Sequence, residues 1–509
     1  MSFVDLLGRT FAAIRQTALV IVCVASLNWV ATAPSLGSEL PTTSGMNVLM
    51  INIEDCRADV WGCFGNPICR TPNIDRLAQT GIIFDRAYCQ YVCCNPSRSS
   101  FLTGLRPHST GVLSNNHNSR ECLPPGTRSL PQLVKQRGLY TANIGKLFHS
   151  GGSWNVEDMQ AFDRIEFQNR PPQWAGPGPV LSFPDLPPPK EPAPKPDDPG
   201  YGAWRQSRSN RYGSSGLTDD QEADGRYART AVALLHEFAK DGRQFFLTLG
   251  SSRPHTPLIC PQNYIELYDP NEIPMPAAPR RDDQGVPDIA VRFGRPADIW
   301  NAGKTPSPAE VRATIAAYYA CVSFLDTQLG LVLDALAETG LDRNTIVIFF
   351  SDHGFHLGEH DHWSKYTLFE LSTRVPMIVR IPGNPANGRR CDEIVELVDL
   401  VPTIGELLNF DTAGNLEGIS FAPLLVDPTT AWKLAAFSVF GNKGEYNSVR
   451  TKRYRYTEWQ YQGDTIRELY DLADDPWETV NLADRLEQAT RQTELSQLLG
   501  EGWTAALPK

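Results

Sequence analysis

The sequence predicts an α/β fold in which a large mixed, mostly parallel sheet is flanked by helices and followed by a smaller C-terminal α+β subdomain. Short, nearly continuous apolar runs alternate with longer segments in which apolar residues recur every three or four positions. This pattern is typical of buried strands that alternate with helices. With 509 residues and 41% hydrophobic content, the chain can bury one large core and a second, smaller one.

Apolar runs predict the strands of the large sheet. They are Val48–Ile53, Ile82–Tyr88, Tyr140–Gly145, Phe245–Gly250 and Thr345–Phe350. Four of them are followed by polar residues suited to a site, namely Glu54 and Asp55, Lys146 and His149, His255, and Asp352 and His353. Because sites in parallel α/β sheets form just beyond the carboxyl ends of the strands, these residues predict one pocket. Each pair alone is better explained as a surface turn, so the prediction depends on all four.

Segments with helical spacing separate these strands. They are Asn73–Thr80, Ser129–Arg137, Asp219–Lys240 and Pro308–Glu338. A glycine follows each segment closely, as is typical of helix C-termini. A boundary near Ile381–Gly383 precedes the C-terminal part, for which the sequence predicts a helix at Leu397–Leu408, strands around Val449–Trp459 and a final helix near Ala483–Leu499.

Two segments are predicted to lie outside the packed core. The proline-rich Pro171–Gly200 is typical of an extended surface excursion, and it could also form a rim over the pocket. Residues 1–37 have the layout of a secretory signal peptide, with an apolar stretch at Ala18–Ala25 that is too short for a membrane span. Asn95-Pro96-Ser97 is the sole near match to a glycosylation site, and its proline blocks it. We therefore expect an exported bacterial protein, periplasmic or secreted, without a stable membrane anchor.

Net charge and cysteine content limit which functions and cellular compartments fit this protein. The charge of −11 excludes nucleic-acid binding by bulk attraction. An anionic substrate would have to be attracted by local cations such as Arg98, Lys146, Arg253 and Lys365. Eleven cysteines are many for a cytosolic enzyme and acceptable for an exported one, and the sequence leaves any disulfide pairing open.

The run Cys94-Asn95-Pro96-Ser97-Arg98 is the most informative motif. Cys94 falls just after the predicted strand Ile82–Tyr88 and just before a helix that Pro96 is expected to open. At that position free backbone N–H groups and the positive end of a helix dipole would face a bound anion. On these residues alone, Cys94 could also be a buried or disulfide-bonded cysteine.

The motif resembles the signature of type I sulfatases, in which this cysteine is oxidised to formylglycine. Further matching runs are Thr71–Ala78, Gly145–His149, Arg253–Pro257, Ser351–His360, Trp363–Tyr366, Arg374–Pro376, Ser448–Thr451, Tyr454–Trp459 and Glu468–Asp471. Through them the chain resembles the sulfatases of the alkaline phosphatase superfamily. The pair Asp352-His353 and the run Tyr454–Trp459 narrow the resemblance to the iduronate-2-sulfatase branch.

This resemblance implies a catalytic domain at 46–383, which includes the excursion 171–200, and a C-terminal subdomain at 384–509. It also implies one Ca²⁺ held by oxygen-rich ligands, namely Glu54, Asp55, Asp352, His353 and the modified Cys94. Glu54 departs from the family, which usually has aspartate there, and this departure leaves a catalytically inactive, sulfated-glycan binding protein as an alternative. For His360 and His362, a structural role and a substrate-contact role are both consistent with the sequence.

The same resemblance implies a reaction. One hydroxyl of the formylglycine hydrate would attack sulfur and the other would later expel sulfate. Arg98 and Lys146 would hold the diol, and His149 would be the base; His255 and Lys365 would bind sulfate and protonate the leaving alcohol. The predicted function is hydrolysis of sulfate esters on a sulfated saccharide, after maturation by a formylglycine-generating enzyme. A related phosphoester or phosphonate hydrolase is the alternative.

Overall fold

The computed structural model describes residues 40–149, 160–166, 212–292, 306–412, 414–441 and 443–508. The predicted signal peptide and the segment Pro171–Gly200 lie outside the described residues. The strands are β1 Asn47–Ile53, β2 Ile82–Tyr88, β3 Tyr140–Gly145, β4 Arg164–Glu166, β5 Tyr212–Ser214, β6 Phe245–Gly250, β7 Leu258–Cys260, β8 Thr345–Ser351, β9 His356–Leu357, β10 Trp363–Ser364, β11 Arg374–Val375, β12 Met377–Arg380, β13 Arg390–Glu396, β14 Ala435–Phe440, β15 Tyr446–Thr451, β16 Tyr454–Tyr461 and β17 Asp464–Asp471. The helices are α1 Pro72–Gln79, α2 Cys94–Thr103, α3 Pro107–Thr110, α4 Ser119–Cys122, α5 Leu130–Gln136, α6 Ala223–Asp241, α7 Gln262–Ile265, α8 Asp288–Arg292, α9 Pro308–Glu338, α10 Glu370–Thr373, α11 Leu400–Leu407, α12 Ala422–Val426 and α13 Ala489–Glu501.

The large sheet has nine strands in the order β11-β2-β12-β8-β1-β6-β3-β4, and β13 also pairs with β2. Strands β8, β1, β6, β3 and β4 are parallel to their neighbours in this series. Strand β12 is antiparallel to both β8 and β2, so β2 runs in the same direction as β8. The sheet is therefore mixed and mostly parallel, as the sequence predicts. The carboxyl ends of β1, β2, β3, β6 and β8 all lie along one edge.

Both faces of this sheet are covered, which explains the unbroken apolar runs. Along β1, Val48 and Met50 belong to one buried cluster, whereas Leu49 and Ile51 belong to another. Helix α9 packs within the second cluster. Among the described residues it is the one helix with the length and composition to cross a membrane, and 72% of its most apolar window is buried inside the protein.

The C-terminal part contains a separate antiparallel sheet in the order β14-β15-β16-β17. Helix α13 packs on it through Leu495, which lies in the same buried cluster as Val449 and Tyr456. Strand β13 follows residue 383 in the chain and pairs with β2 of the large sheet. The large sheet thus includes chain from both sides of the boundary that the sequence suggests.

Some helix boundaries differ from the predictions. The final helix begins at Ala489 instead of near Ala483, because a 3₁₀ turn at 486–488 precedes it. The helix after the cysteine motif begins at Cys94 itself, with Cys93 as its N-cap. Pro96 fits inside this first turn because the first amides of a helix have no partner within it. The ten cysteines of the described chain are all free thiols.

Candidate active site

Strand ends bring the predicted site residues together at one edge of the large sheet. Glu54 and Asp55 follow β1, Lys146 follows β3, and Asp352 and His353 follow β8. The remaining contributors are Cys94 and Arg98 on α2, His255 in the loop after β6, His149 shortly after Lys146, and Lys365 directly after β10. Apart from His149, these residues are joined to one another by contacts of 3.9 Å or less.

Cys94 lies at the centre of the cluster and is only 1% exposed. Its Sγ is 3.2 Å from Nζ of Lys365 and 3.3 Å from Nε2 of His353. It is also 3.6 Å from a carboxylate oxygen of Glu54 and of Asp55. Burial raises the pKa of the Cys94 thiol well above its usual value. An unmodified Cys94 would therefore be neutral and a poor nucleophile, because the thiolate is the reactive form.

The start of α2 offers less to an anion than the sequence suggests. The amide of Asn95 donates to the Asn115 side chain over 2.8 Å. Pro96 has no N–H, and the amide of Ser97 donates to the Cys93 carbonyl over 3.1 Å. Most donors of this first turn are therefore taken by the protein itself, so an anion here would depend on side chains.

Three carboxylates around Cys94 each contact one basic side chain, although burial lowers the pKa of Lys146 to about 7. Oδ2 of Asp352 lies 2.9 Å from Arg98, and Oδ1 of Asp55 lies 2.6 Å from Lys365. The third pair joins Oε1 of Glu54 to Nζ of Lys146. All six side chains are largely buried, and the Lys146 side chain, at 12%, is the most exposed. The pairing allows three carboxylates to lie close together in a buried pocket.

Asp352 is held by the densest set of donors. Its carboxylate accepts from Nε of Arg98 at 3.0 Å and from the amides of Asp55 and His353 at 3.1 and 3.0 Å. Burial alone would raise the pKa of Asp352, but its interactions with His353 and with the Arg98 guanidinium hold it well below its usual range. Nη1 of Arg98 donates to Asn52 and to the carbonyls of Lys146 and Leu147, whereas its buried Nη2 has no hydrogen-bond partner within the described chain. Arg98 therefore positions Asp352.

Lys365 reaches the site from a strained loop. Its neighbours Ser364 and Tyr366 have φ angles of 80° and 79°, which are unusual for residues other than glycine. Such strain persists where the surrounding structure fixes a side chain for function. Burial would lower the pKa of Lys365, but Asp55 and Cys94 raise it well above its usual value. Its ammonium is therefore charged beside Cys94.

Two imidazoles present unprotonated nitrogens to the cluster. Nδ1 of His353 is 3.0 Å from the Gly354 carbonyl, and Nδ1 of His255 is 2.6 Å from the Thr256 carbonyl. A carbonyl can only accept, so in a neutral ring Nδ1 carries the proton and Nε2 has the lone pair. Burial lowers the pKa of His353, and burial together with Lys365 lowers that of His255 to about 4 although Asp55 opposes the shift. Both rings are neutral near pH 7.

This arrangement fits a hard cation. Nε2 of His353 lies 3.2 Å from Oδ1 of Asp55, and a lone pair so close to a carboxylate is repulsive unless a cation lies between them. The ligand atoms of Asp55, Cys94, Asp352 and His353 lie within 4.8 Å of one another. Glu54 falls in a second such set, with Asp55 and His255. Carboxylate oxygens are the ligands that Ca²⁺ prefers.

His149 and the two additional histidines stand apart. Nδ1 of His149 is buried and has no hydrogen-bond partner within the described chain. Burial and the charges of Lys146 and Arg98 lower the pKa of His149 to about 2, so its ring is neutral. His360 bonds to Asp283 at 2.9 Å, and His362 to the Lys365 carbonyl at 2.9 Å. These last two contacts favour structural roles, and the one from His362 supports the Lys365 loop.

Several residues that position the site residues are not predicted from the sequence. Asn52 accepts a hydrogen bond from Arg98, and Ser251 accepts one from the Glu54 amide. Three hydroxyl groups donate to backbone carbonyls of the site: Ser97 to Asp352, Tyr318 to Asp55 and Ser351 to His353. A signal exists for Asn52, because it is a polar residue near the end of an otherwise apolar strand. The hydroxyl residues carry no comparable signal in the sequence.

Comparison with known families identifies the fold and the chemistry. The family model described as Sulfatase matches residues 46–410. The chain belongs to the sulfatase family. It is a sulfuric ester hydrolase of the alkaline phosphatase superfamily. A second model, described as the C-terminal region of N-sulphoglucosamine sulphohydrolase, matches residues 358–503, which include the four-stranded sheet.

Individual relatives agree with this assignment. A sulfatase from Formosa agariphila is 31% identical over 473 residues, which cover 89% of this chain and 86% of the relative. The iduronate 2-sulfatase of Homo sapiens is 33% identical over 413 residues, covering 73% and 71%. The solved phosphonate monoester hydrolase from Silicibacter pomeroyi has a TM-score of 0.74 at 22% identity, covering 91% and 96%, so it shares the fold.

Proposed function

We propose that this sulfatase is an exported bacterial enzyme that removes sulfate from a sulfated saccharide with the hydrate of a formylglycine made from Cys94. The observation that carries the proposal is the position of Cys94, which begins a helix and lies within 3.6 Å of Lys365, His353, Glu54 and Asp55. A buried neutral thiol is a poor nucleophile. The Cys94 Sγ would stand in for the hydroxyls of the hydrate, which are made by a maturation enzyme.

The cation of the proposed site is Ca²⁺, with Asp55, Asp352, His353 and the modified residue 94 as ligands. When bound, it would polarise sulfate oxygens and acidify the hydrate. Arg98 holds the Asp352 ligand in place through two contacts at 2.9 and 3.0 Å. The fixed Nδ1–H of His353 orients Nε2 toward the same point. These contacts keep the ligand set ordered without the substrate.

Lys365 and His255 are suited to the sulfate group and the leaving alcohol. Nζ of Lys365 is 3.2 Å from Cys94 Sγ, so its charge would stabilise negative charge that develops on the sulfate. His255 lies at the mouth of the pocket, where its side chain is 35% exposed and Nε2 is 3.8 Å from Asp55. A proton that reaches Nε2 there can pass to a departing alkoxide, as general acid catalysis requires.

For the substrate, we propose a terminal 2-O-sulfated uronate. The similarity to human iduronate 2-sulfatase supports this choice. The uronate carboxylate needs a cation, which an arginine or lysine of the C-terminal subdomain or one near Lys365 could supply. Arg455 is 1% exposed and lies 2.6 Å from both Glu370 and Glu478, and Arg450 lies 2.9 Å from Glu370. These two arginines form internal ion pairs, so they are not available to the uronate carboxylate.

Mass spectrometry of the Cys94 peptide tests the mechanism. Active protein from the native host should carry an aldehyde at residue 94 that reacts with hydrazides. Intact cysteine throughout such active protein would refute the formylglycine mechanism. A Cys94→Ala variant should keep its fold and lose turnover.

Substrate assays test the specificity. We expect faster desulfation of a terminal 2-O-sulfated uronate than of N-acetylglucosamine-6-sulfate, with Lys365→Ala severely impaired on both. Preference for the 6-sulfate would overturn the uronate assignment alone. Faster hydrolysis of a phosphonate monoester would favour the alternative hydrolase, and saccharide binding without turnover by aldehyde-bearing protein would favour the inactive glycan-binding alternative.

A further inference from the structure

The hairpin that carries Lys365 depends on contacts outside itself. Strands β9 and β10 pair over two residues each, and Lys365 follows β10 directly. In the turn between them, His360 and Asp361 have φ angles of 55° and 54°. So short a ladder with left-handed residues in its turn is weak on its own, and the surrounding structure must hold it. We call residues 356–365 the Lys365 hairpin.

His360 makes such contacts at the turn of the hairpin. Its Nδ1 lies 2.9 Å from Oδ1 of Asp283, and its Nε2 lies 3.0 Å from the backbone carbonyl oxygen of Trp477. The His360 amide donates to the Ala278 carbonyl over 2.7 Å, and the ring stacks on Phe369 with centroids 4.4 Å apart. The hairpin is thus held by the loop before α8 and by the segment that follows the four-stranded sheet.

The two ring contacts require a protonated imidazole. A neutral imidazole has one N–H and one lone pair, whereas a carboxylate and a carbonyl oxygen can only accept. Both ring nitrogens of His360 therefore carry protons, because a lone pair facing either oxygen would be repulsive. The side chains of His360 and Asp283 are 1% and 2% exposed, so this ion pair is buried. Burial would lower the pKa of His360, but the hydrogen bond and charge of Asp283 raise it above its usual value.

Other titratable or charged groups also face His360. They are Glu359 on the hairpin, Arg280 beside Asp283, Glu468 and Glu478 from the C-terminal part, and the neighbouring His356 and His362. Burial lowers the pKa of His356 well below its usual value and that of His362 to about 4, so both of these rings are neutral. Of all these groups, Asp283 is the one in hydrogen-bond contact with the His360 ring. Asp283 therefore has the largest control over the charge of His360.

His362 connects the turn of the hairpin to Lys365. Its Nε2 lies 2.9 Å from the Lys365 carbonyl oxygen. Within the turn, the Gly358 amide donates to the His362 carbonyl over 3.0 Å, and the His362 amide donates to the Glu359 carbonyl over 2.9 Å. Hydrogen bonds thus run from the residues beside His360 to Lys365, so a shift of the turn would displace Lys365.

We propose that His360 is a positioning residue for Lys365 and acts as a buried imidazolium that holds the Lys365 hairpin to Asp283 and Trp477. Nζ of Lys365 lies 3.2 Å from Cys94 Sγ, and a misplacement of about 1 Å at such a group can lower the rate about 100-fold. Loss of a proton from His360 would remove one of its two ring contacts and loosen the hairpin. This inference rests on the proposed role of Lys365 and adds the group that places it.

NMR of protein labelled with ¹⁵N in its histidine rings tests the charge of His360. The His360 signals are assigned by their absence from His360→Gln or, if that variant does not fold, by their shift in Asp283→Asn. We expect protons on both ring nitrogens of wild type at about pH 7, and loss of one of them at lower pH in Asp283→Asn, which keeps the shape of the partner without its charge. A neutral His360 ring in wild type at that pH would overturn the inference.

Asp288→Asn is the matched control for Asp283→Asn. Asp288 pairs with the same Arg280 at 2.8 Å, but its side chain is 98% exposed. The control should therefore leave both the His360 titration and kcat unchanged. An equal effect of Asp288→Asn would show that the loop before α8, and not the charge beside His360, is responsible, and it would overturn the inference.

The pH dependence of kcat tests the positioning role, with 4-nitrophenyl sulfate and the 2-O-sulfated uronate as substrates. We expect the ratio of wild-type to His360→Gln kcat to be about ten at about pH 6, with KM changed less than about twofold. The ratio should fall toward one as the pH rises through the His360 midpoint measured by NMR, because wild type then loses the same charge. Asp283→Asn should behave in the same way. A ratio that stays constant with pH would indicate a packing role and overturn the proposal.

Lys365→Ala separates the two levels of the proposal. Beside Lys365→Ala, Asp283→Asn should no longer change kcat, since residues that act through one another are not additive; additive losses would overturn the inference. Wild-type turnover in Lys365→Ala would overturn the role of Lys365 in the proposed function and this inference with it. Severe loss in Lys365→Ala, together with a constant kcat ratio for His360→Gln, would overturn this inference alone.

Discussion

Replacing Asp352 with asparagine should destabilise the protein even when no metal is bound. Asp352 is fully buried, and its carboxylate holds Arg98 through contacts at 2.9 and 3.0 Å. Asparagine keeps the size and one acceptor oxygen, but it leaves the Arg98 guanidinium buried without a counter-ion. Breaking a buried ion pair in this way costs about 3–5 kcal/mol, and we expect a loss near 3 kcal/mol because the amide oxygen still accepts hydrogen bonds.

The same substitution should change the pH dependence of stability. The pKa of Asp352 in the folded protein is held well below the unfolded value of about 3.9. Such a carboxylate contributes stability that is fully present above the unfolded pKa and is lost as the pH falls toward the folded one. The difference between wild type and Asp352→Asn should therefore be constant from about pH 5 to 7 and should shrink below about pH 4.

Denaturant unfolding in the presence of a chelator, followed by tryptophan fluorescence, measures both effects. Asp334→Asn is the matched control, because Asp334 forms a 2.6 Å ion pair with Arg76 on the surface, where the side chains are 50% and 53% exposed. Surface pairs contribute about 0–1 kcal/mol, so this control should change little. A loss below about 1 kcal/mol for Asp352→Asn, or a difference that is unchanged at pH 3, would refute the buried ion-pair reasoning.

Two further predictions concern groups outside the cation position. The Asp224 carboxylate accepts hydrogen bonds from the amides of Ser252 and Arg253 at 2.6 and 3.1 Å and so fixes the turn before His255. In kinetic assays, Asp224→Ala should lower kcat about tenfold, and Asp224→Asn should keep most of the wild-type kcat. Calorimetry should show an unchanged calcium Kd. A parallel loss of calcium binding would contradict this role. Burial raises the pKa of Glu468 to about 7, so the fold retains a proton that the unfolded chain loses above about pH 4.3, and stability should fall as the pH rises between these values. Glu468→Gln should flatten that decline in unfolding titrations at several pH values, and an unchanged slope would count against a buried neutral carboxyl.

The strands of the central sheet could be predicted almost residue by residue. The predicted bounds of β2, β3 and β6 are the observed ones, because strands that are buried on both faces consist of nearly continuous apolar residues. The short antiparallel strands β11 and β12 and the late strand β13 were not predicted. Their pairing depends on which elements the chain brings alongside β2 and β8, and no local pattern carries that information.

The sequence by itself determined which chemical groups collect at the site, because carboxyl ends of parallel strands meet at one edge whatever their order. Only the tertiary structure decided the partner of each charge. Arg98 pairs with Asp352 because α2 lies beside the end of β8, and Glu54 contacts Lys146 although β6 lies between their strands. The sequence predicts a free backbone amide at Asn95, but this amide donates a hydrogen bond to the Asn115 side chain in a later loop. Ion pairs and hydrogen bonds form over about 3 Å, so they depend on strand order and loop approach, which composition and periodicity do not encode.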